Sequence, residues 1–216
     1  MTGSRGGPPV NGTEAPRRWR FGDDPALPVA VVVRGGILAI PTESSYGLAV
    51  DPTSRRGVEA IYRIKRREAG RPLPVVVAGT AQLARLGVDP AAPQVAWAAR
   101  RWPAALTVVL PLAAAGSPLP AAAGGGSVAV RVPDHPRLVE LLAATGPLTA
   151  TSANLSGDPP ILDPDEVAAL LAGADALVVD DGRLPGGPPS TLVAFEGGQV
   201  RVLRHGRVPS DALTAP

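Results

Sequence analysis

Short apolar runs rich in Val, Leu and Ile alternate with segments of helical spacing along most of this chain, and near its end two strand-like runs follow each other directly. That order predicts an α/β fold, a twisted, mixed parallel and antiparallel open sheet carrying helices. Residues 36–40, 73–77, 106–110, 127–132, 148–151, 176–179, 191–195 and 200–203 read as strands. Residues 54–67 read as an amphipathic helix with Ser54 as its cap, 80–86 as a short helix capped by Thr80, and 93–102 and 135–143 as two more. Asp163 with Pro164 and Glu166 forms a well-marked helix start. Residues 27–33 are Val-rich, which favours a strand, yet they end in Arg34-Gly35-Gly36, which suits a helix C-terminus. The two readings stay open there.

A chain of 216 residues fits one domain with loose ends. The reading is a leader over 1–25, rich in Gly, Pro and Arg, a catalytic domain over 26–210 and a tail over 211–216. Hydrophobic residues make up 45% but aromatics only 3%, so the core is expected to be built from Val, Leu, Ile and Ala. Stacking of bases on aromatic platforms is then not expected as the main activity. Cysteine is absent, which removes disulfides, thiolate nucleophiles and Cys-ligated zinc. With two histidines, His135 and His205, neither a His-based metal site nor a catalytic histidine is expected. The formal charge of +2 is too small for non-specific nucleic-acid binding, although a local basic cluster can still hold an anion. Nothing resembles a secretory signal, and no apolar run approaches the ~20 residues that span a bilayer. The expectation is a cytoplasmic protein without a membrane partner.

Such a basic cluster exists: Arg63, Lys65, Arg66, Arg67 and Arg71, closed by Pro72, at the end of the first long helix. Any one of these cations suits a solvated helix end. Together they can grip a polyanion from more than one side, a nucleoside triphosphate or an RNA backbone. Two loops at strand ends are dense in hydroxyls: Thr42-Glu43-Ser44-Ser45-Tyr46-Gly47 and Thr151-Ser152-Ala153-Asn154-Leu155-Ser156-Gly157. Each alone reads as a turn that satisfies its own backbone. Gly124-Gly125-Gly126-Ser127 lacks the following Lys and the helix of a phosphate-binding loop and reads as a connection.

The succession is more specific than its parts. Pro41-Thr42-Glu43-x-x-Tyr46-Gly47-Leu48, Lys65-x-Arg67, Arg71-Pro72-Leu73, Ser152-Ala153-Asn154-x-Ser156-Gly157, Ser190-Thr191 and Leu203-Arg204-x-Gly206 occur in that order. The chain thereby resembles the YrdC-like family of threonylcarbamoyl-adenylate synthases from about Leu27 to Val208. The resemblance implies an α/β fold with a concave basic face, and a helix over 27–33. It also implies a reaction of L-threonine, bicarbonate or CO2, and ATP with Mg2+, giving threonylcarbamoyl-AMP and pyrophosphate. The product would pass to a tRNA-modifying threonylcarbamoyl-transferase complex.

By the same resemblance Lys65 and Arg67 carry catalysis and bind the ATP phosphates, while Ser152, Asn154, Ser190 and Arg204 hold the nucleotide. Thr42, Tyr46 and Arg131 meet threonine or its carbamate, and no residue ligates a metal. Carboxylation of an amine, then attack of the carboxylate on the α-phosphate, needs orientation and cationic stabilisation rather than an enzymic nucleophile. Three departures stand out. Arg71 replaces a common Lys, Arg66 takes a place where Gly is frequent, and the chain ends soon after Arg204, as in the short single-domain form. The competing readings are a double-stranded RNA or tRNA binder and a diverged paralogue without this activity.

Overall fold

The computed structural model describes residues 14–68, 70–113, 119–122 and 125–214. Its first half contains β1 (Arg17–Trp19), α1 (Ala26–Val33), β2 (Ile37–Pro41), β3 (Tyr46–Ala49), α2 (Arg55–Ile64), β4 (Val75–Val76), α3 (Pro93–Ala99) and β5 (Leu106–Pro111). The second half adds β6 (Ser127–Arg131), α4 (Pro136–Thr145), β7 (Leu148–Thr149), β8 (Thr151–Ser152), α5 (Pro164–Leu170), β9 (Ala176–Val179), β10 (Thr191–Glu196), β11 (Gln199–Arg204) and α6 (Asp211–Thr214). Thr80–Leu86 and Pro120–Ala122 are 3₁₀ helices.

The mixed pairing is as expected, but the strands divide between two sheets. One runs β1-β9-β2-β3-β8 and the other β11-β10-β5-β6-β4-β7. In the first, β9 pairs in parallel with β1 and β2, and β3 runs antiparallel to β2 and β8. In the second, the two parallel pairs β10–β5 and β6–β4 are interleaved with antiparallel ones. Residues 148–151, expected as one strand, divide at Ala150: β7 stays in the second sheet and β8 crosses to the first. The amide of Ala150 donates to the Pro74 carbonyl at 2.8 Å, so the crossing point is itself hydrogen-bonded.

β2, β3 and β9 are buried throughout, covered on both faces. The core is aliphatic as the composition requires, with Leu38, Ile40, Leu48, Leu106, Leu110, Leu138 and Leu142 among its largest members and Tyr46 its one fully buried large aromatic. Removing such side chains from water at ~25 cal/mol per Å² is the main term favouring the fold.

One open reading is decided and four expectations need correction. Residues 27–33, left open between strand and helix, form the helix that the resemblance implies: α1 turns Val31 and Val32 into the core and leaves Val33 80% exposed. It closes with the Gly36 amide on the Val31 carbonyl and the Gly35 amide on Val32, Gly35 lying at φ +78°. That closure needs a residue that accepts the left-handed region, so the Gly pair outweighs the β-propensity of valine. The leader reading of 1–25 was too long, because Arg17–Trp19 pairs with β9; residues 1–13 lie outside the described residues. The tail reading of 211–216 missed α6, whose Leu213 is 1% exposed. Tyr46 and Gly47, read as part of a loop, open strand β3 (Tyr46–Ala49), antiparallel to β2 across the Thr42–Ser45 turn. Thr80 is not a cap: Gly79 precedes that 3₁₀ helix without a side-chain bond. Gly124 lies outside the described residues.

Candidate active site

Most of the motif residues meet because the end of α2, the turns after β2 and β8 and the Ser190 turn before β10 surround one hollow between the sheets. Ser54 caps α2 by accepting the Gly57 amide at 3.1 Å. At its other end the Arg66 amide donates to the Arg63 carbonyl and the Arg67 amide to Tyr62, a left-handed closure with Arg66 at φ +49°. This explains why glycine suits the middle of Lys-x-Arg. The turn also sends Lys65 and Arg67 in different directions.

A cavity of about 760 Å³ opens between the sheets, and Thr42, Arg67, Arg131, Ser152, Ser190 and Arg204 all line it. Tyr46 lines it too, but its hydroxyl donates to the Gly182 carbonyl at 2.8 Å and accepts the Asp181 amide at 3.1 Å. Burial, more than the neighbouring aspartates, pushes that phenol up to about 12. Tyr46 is therefore a fixed wall.

Lys65 and Asn154 stand behind the wall. The Lys65 ammonium, on a residue only 3% exposed, donates to the Ser152 carbonyl at 2.5 Å, the Asn154 carbonyl at 3.0 Å and Asn154 Oδ1 at 2.6 Å. Ser152 Oγ also donates to Asn154 Oδ1 at 2.7 Å, and Asn154 Nδ2 donates to the Asp158 carbonyl. All three ammonium protons are thus engaged in holding the Ser152–Asn154 turn. Burial and then Arg67 lower the Lys65 pKa to about 8.

Arg67 is placed differently. Its Nη2 donates to the Pro72 carbonyl at 3.4 Å, while Nε is buried without a partner, the one such side-chain atom among the described residues. Burial, opposed by Tyr62 and reinforced by Arg71, lowers its pKa. Arg67 lines the cavity, where a partly desolvated guanidinium is stabilised by an anionic ligand.

At the far end Arg204 Nη2 donates to the Ser190 carbonyl at 2.8 Å and to Ser190 Oγ at 3.2 Å. Ser190 Oγ lies 2.7 Å from Thr107 Oγ1, a hydroxyl that the motifs did not single out. Burial, then nearby Arg131, lowers the Arg204 pKa. Gly206 explains its motif: a Cβ there would stand 2.3 Å from the Pro189 carbonyl oxygen, so only glycine lets β11 settle onto the Ser190 turn.

Thr42 Oγ1 donates to the Ser45 carbonyl at 2.8 Å and shapes the turn that presents Ser44 and Ser45 to the cavity. Glu43, quoted only as a motif letter, is bonded to Arg131 and to the Asp134 amide. Gly186 and Gly187 also line the cavity, signalled in sequence only by a Gly pair between prolines. The histidines are peripheral. His135 caps α4 through Nδ1 and reaches Asp181 at 3.1 Å, and His205 lies 2.9 Å from Ser210 Oγ. Among the described residues no three His, Asp or Glu side chains gather as a metal would need, and no helix is long and apolar enough to cross a membrane.

A family model described as "Telomere recombination", the Sua5/YciO/YrdC domain, matches residues 30–206. The threonylcarbamoyl-AMP synthase of Marinobacter nauticus is 38% identical over 112 residues, 51% of this chain and 58% of that protein. That of Bacillus subtilis is 35% identical over 118 residues, 54% of this chain and 34% of the relative. The chain thus spans between about a third and three fifths of these curated relatives. Among solved structures, P. abyssi Sua5 complexed with L-threonine superposes with a TM-score of 0.78 at 29% identity, over 91% of this chain and 59% of that one. E. coli YciO, at 22% identity and a TM-score of 0.73 over 93% of this chain and 100% of its own, shares the fold. With 30–206 covered by one family model and most of the motif side chains lining one hollow, the chain belongs to the Sua5/YciO/YrdC family.

Proposed function

We propose that this protein is an L-threonylcarbamoyladenylate synthase. The observation that carries the reading is that three guanidinium side chains, Arg67, Arg131 and Arg204, line one cavity together with the hydroxyls of Ser152 and Ser190. Three cations around one hollow suit a ligand set with a polyphosphate and a carboxylate, as ATP and an amino acid supply. The L-threonine bound by P. abyssi Sua5 supports the choice of amino acid.

In the reaction the neutral threonine amine attacks the carbon of bicarbonate, a C–N bond forms and water leaves; with CO2 a proton leaves instead. A carbamate oxygen then attacks the α-phosphorus of ATP and the bond to the β-phosphate oxygen breaks, releasing pyrophosphate. Arg67 would meet the phosphates and the charge growing on the leaving group. Arg204 and Ser190 would hold the nucleotide and Arg131 the threonine carboxylate, with Thr42 fixing the turn beside the carbamate. Lys65 and Asn154 would act on the phosphates by holding the Ser152 turn. A protein cage for magnesium does not fit the donors present, which are hydroxyls and cations, so the ion would travel on the triphosphate. The adenylate would pass to a tRNA-modifying complex in the cytoplasm. Exposed Arg63, Arg66 and Arg71 beside the site favour RNA contact as a second reading.

The test is incubation with labelled bicarbonate, ATP and magnesium, with and without L-threonine, followed by detection of pyrophosphate and a labelled adenylate. Threonine-dependent release is expected, and Arg67→Gln should lower kcat/KM by roughly 10²- to 10³-fold while the protein stays folded. ATP binding without threonine-dependent release would favour the RNA-binding or paralogue readings.

A further inference from the structure

We infer that Glu43 is a positioning residue for the amino-acid substrate, acting through Arg131. The inference rests on the proposed function and adds a residue to which nothing above gives a role. Glu43 sits in the turn between β2 and β3, and its carboxylate is divided between two partners. Oε2 accepts from Arg131 Nη1 at 2.8 Å and Oε1 accepts the Asp134 amide at 2.7 Å. The pair is well shielded, with the Glu43 side chain 7% and that of Arg131 12% exposed.

Arg131 ends β6 on a long side chain that has no other hydrogen bond among the described residues, so Glu43 alone sets its direction. One Nη is held from behind, and the rest of the planar fork stays free on the cavity side. A second recess of about 410 Å³, lined by Glu43, Asp134 and Arg207, lies beyond the pair. Glu43 is thus the partition between the two spaces, and an unanchored Arg131 could relax away from the cavity.

Charge gives the same answer. Arg131 and Arg204 are close enough for one to disfavour the charge of the other, and repulsion between them would splay both. The Glu43 carboxylate offsets one of these two positive charges and leaves a net single positive charge, the complement of one substrate carboxylate. Because Oε1 also holds the start of the segment leading into α4, the anchor is tied to two turns and not to one flexible loop.

The experiment compares wild type with Glu43→Gln, which keeps size and an acceptor but removes the charge, and with Glu43→Asp, whose carboxylate is too short to span both partners. Steady-state kinetics are measured separately against L-threonine and ATP, beside calorimetric titration of L-threonine and thermal unfolding. For Glu43→Gln the KM or Kd for L-threonine should rise about tenfold or more while KM for ATP stays within about twofold, and Glu43→Asp should not restore it. Arg131→Lys, which retains the charge without the fork, should show the same threonine-selective loss. An unchanged threonine constant in active, folded Glu43→Gln, or equal loss for both substrates, overturns the inference and leaves the proposed function standing. If the wild type forms no adenylate, the function has failed, and the threonine titration alone then decides on Glu43. Should Glu43→Gln not fold, Arg131→Lys decides by the same split.

Discussion

Replacing Lys65 by Met tests whether a buried cation holds the Ser152–Asn154 turn. At neutral pH two large effects oppose each other: burying an ammonium is unfavourable, but its three acceptor oxygens would be left unsatisfied without it. The pH dependence isolates the first. The folded pKa is lowered from 10.5 to about 8, by burial first and Arg67 second. Between these values the folded chain has released a proton that the unfolded chain keeps, so stability must rise with pH. The penalty on the charged form is fully present below about pH 8 and disappears as pH approaches 10.5. From about pH 7 to about pH 9.5 this group should add about 2 kcal/mol to wild-type stability. Tyr46 acts in the other direction, since a phenol raised to about 12 keeps its proton after the unfolded chain begins to lose it near 10, so the window should stop there. Urea unfolding of wild type and Lys65→Met across that window cancels Tyr46 and every other shared group. Curves that run parallel, with no relative gain for wild type toward alkaline pH, would refute a desolvated ammonium at this position.

Gly206→Ala should destabilise by about 2 kcal/mol or more and raise KM for ATP, since its Cβ would press on Pro189 at 2.3 Å and displace the Ser190 turn from Arg204; chemical denaturation and ATP kinetics check both. Arg66→Gly should be neutral or stabilising by up to about 1 kcal/mol, since it relieves a left-handed residue at φ +49° where the helix closes. A thermal melt that falls by several degrees would show that the Arg66 side chain holds contacts of its own.

Much of the fold was legible because local signals and burial agreed. Ser54 and Asp163 cap their helices through the predicted side chains. The apolar runs after Gly36, before Pro111 and at 176–179 became strands, and the aromatic-poor composition gave an aliphatic core. The motifs and the resemblance they carry pointed to Thr42, Arg67, Arg131, Ser152, Ser190 and Arg204, which line one cavity, and to Lys65 and Asn154, which do not. The failures came where short segments take their structure from distant partners. Residues 17–19 are a strand only because β9 offers an edge, and Tyr46–Ala49 is a strand because β2 and β8 flank it.

By itself the sequence determined which chemical groups exist here and which are excluded: cations, hydroxyls and an amide in a set order, with no thiol. Only the tertiary structure decided their division of labour. Lys65 turns behind the wall to grip Ser152 and Asn154, Arg67 lines the hollow, and Glu43 reaches 88 residues along the chain to aim Arg131. The reason is physical: a side chain's type fixes what it can donate or accept, whereas the partner it finds depends on which distant strands and turns share its space.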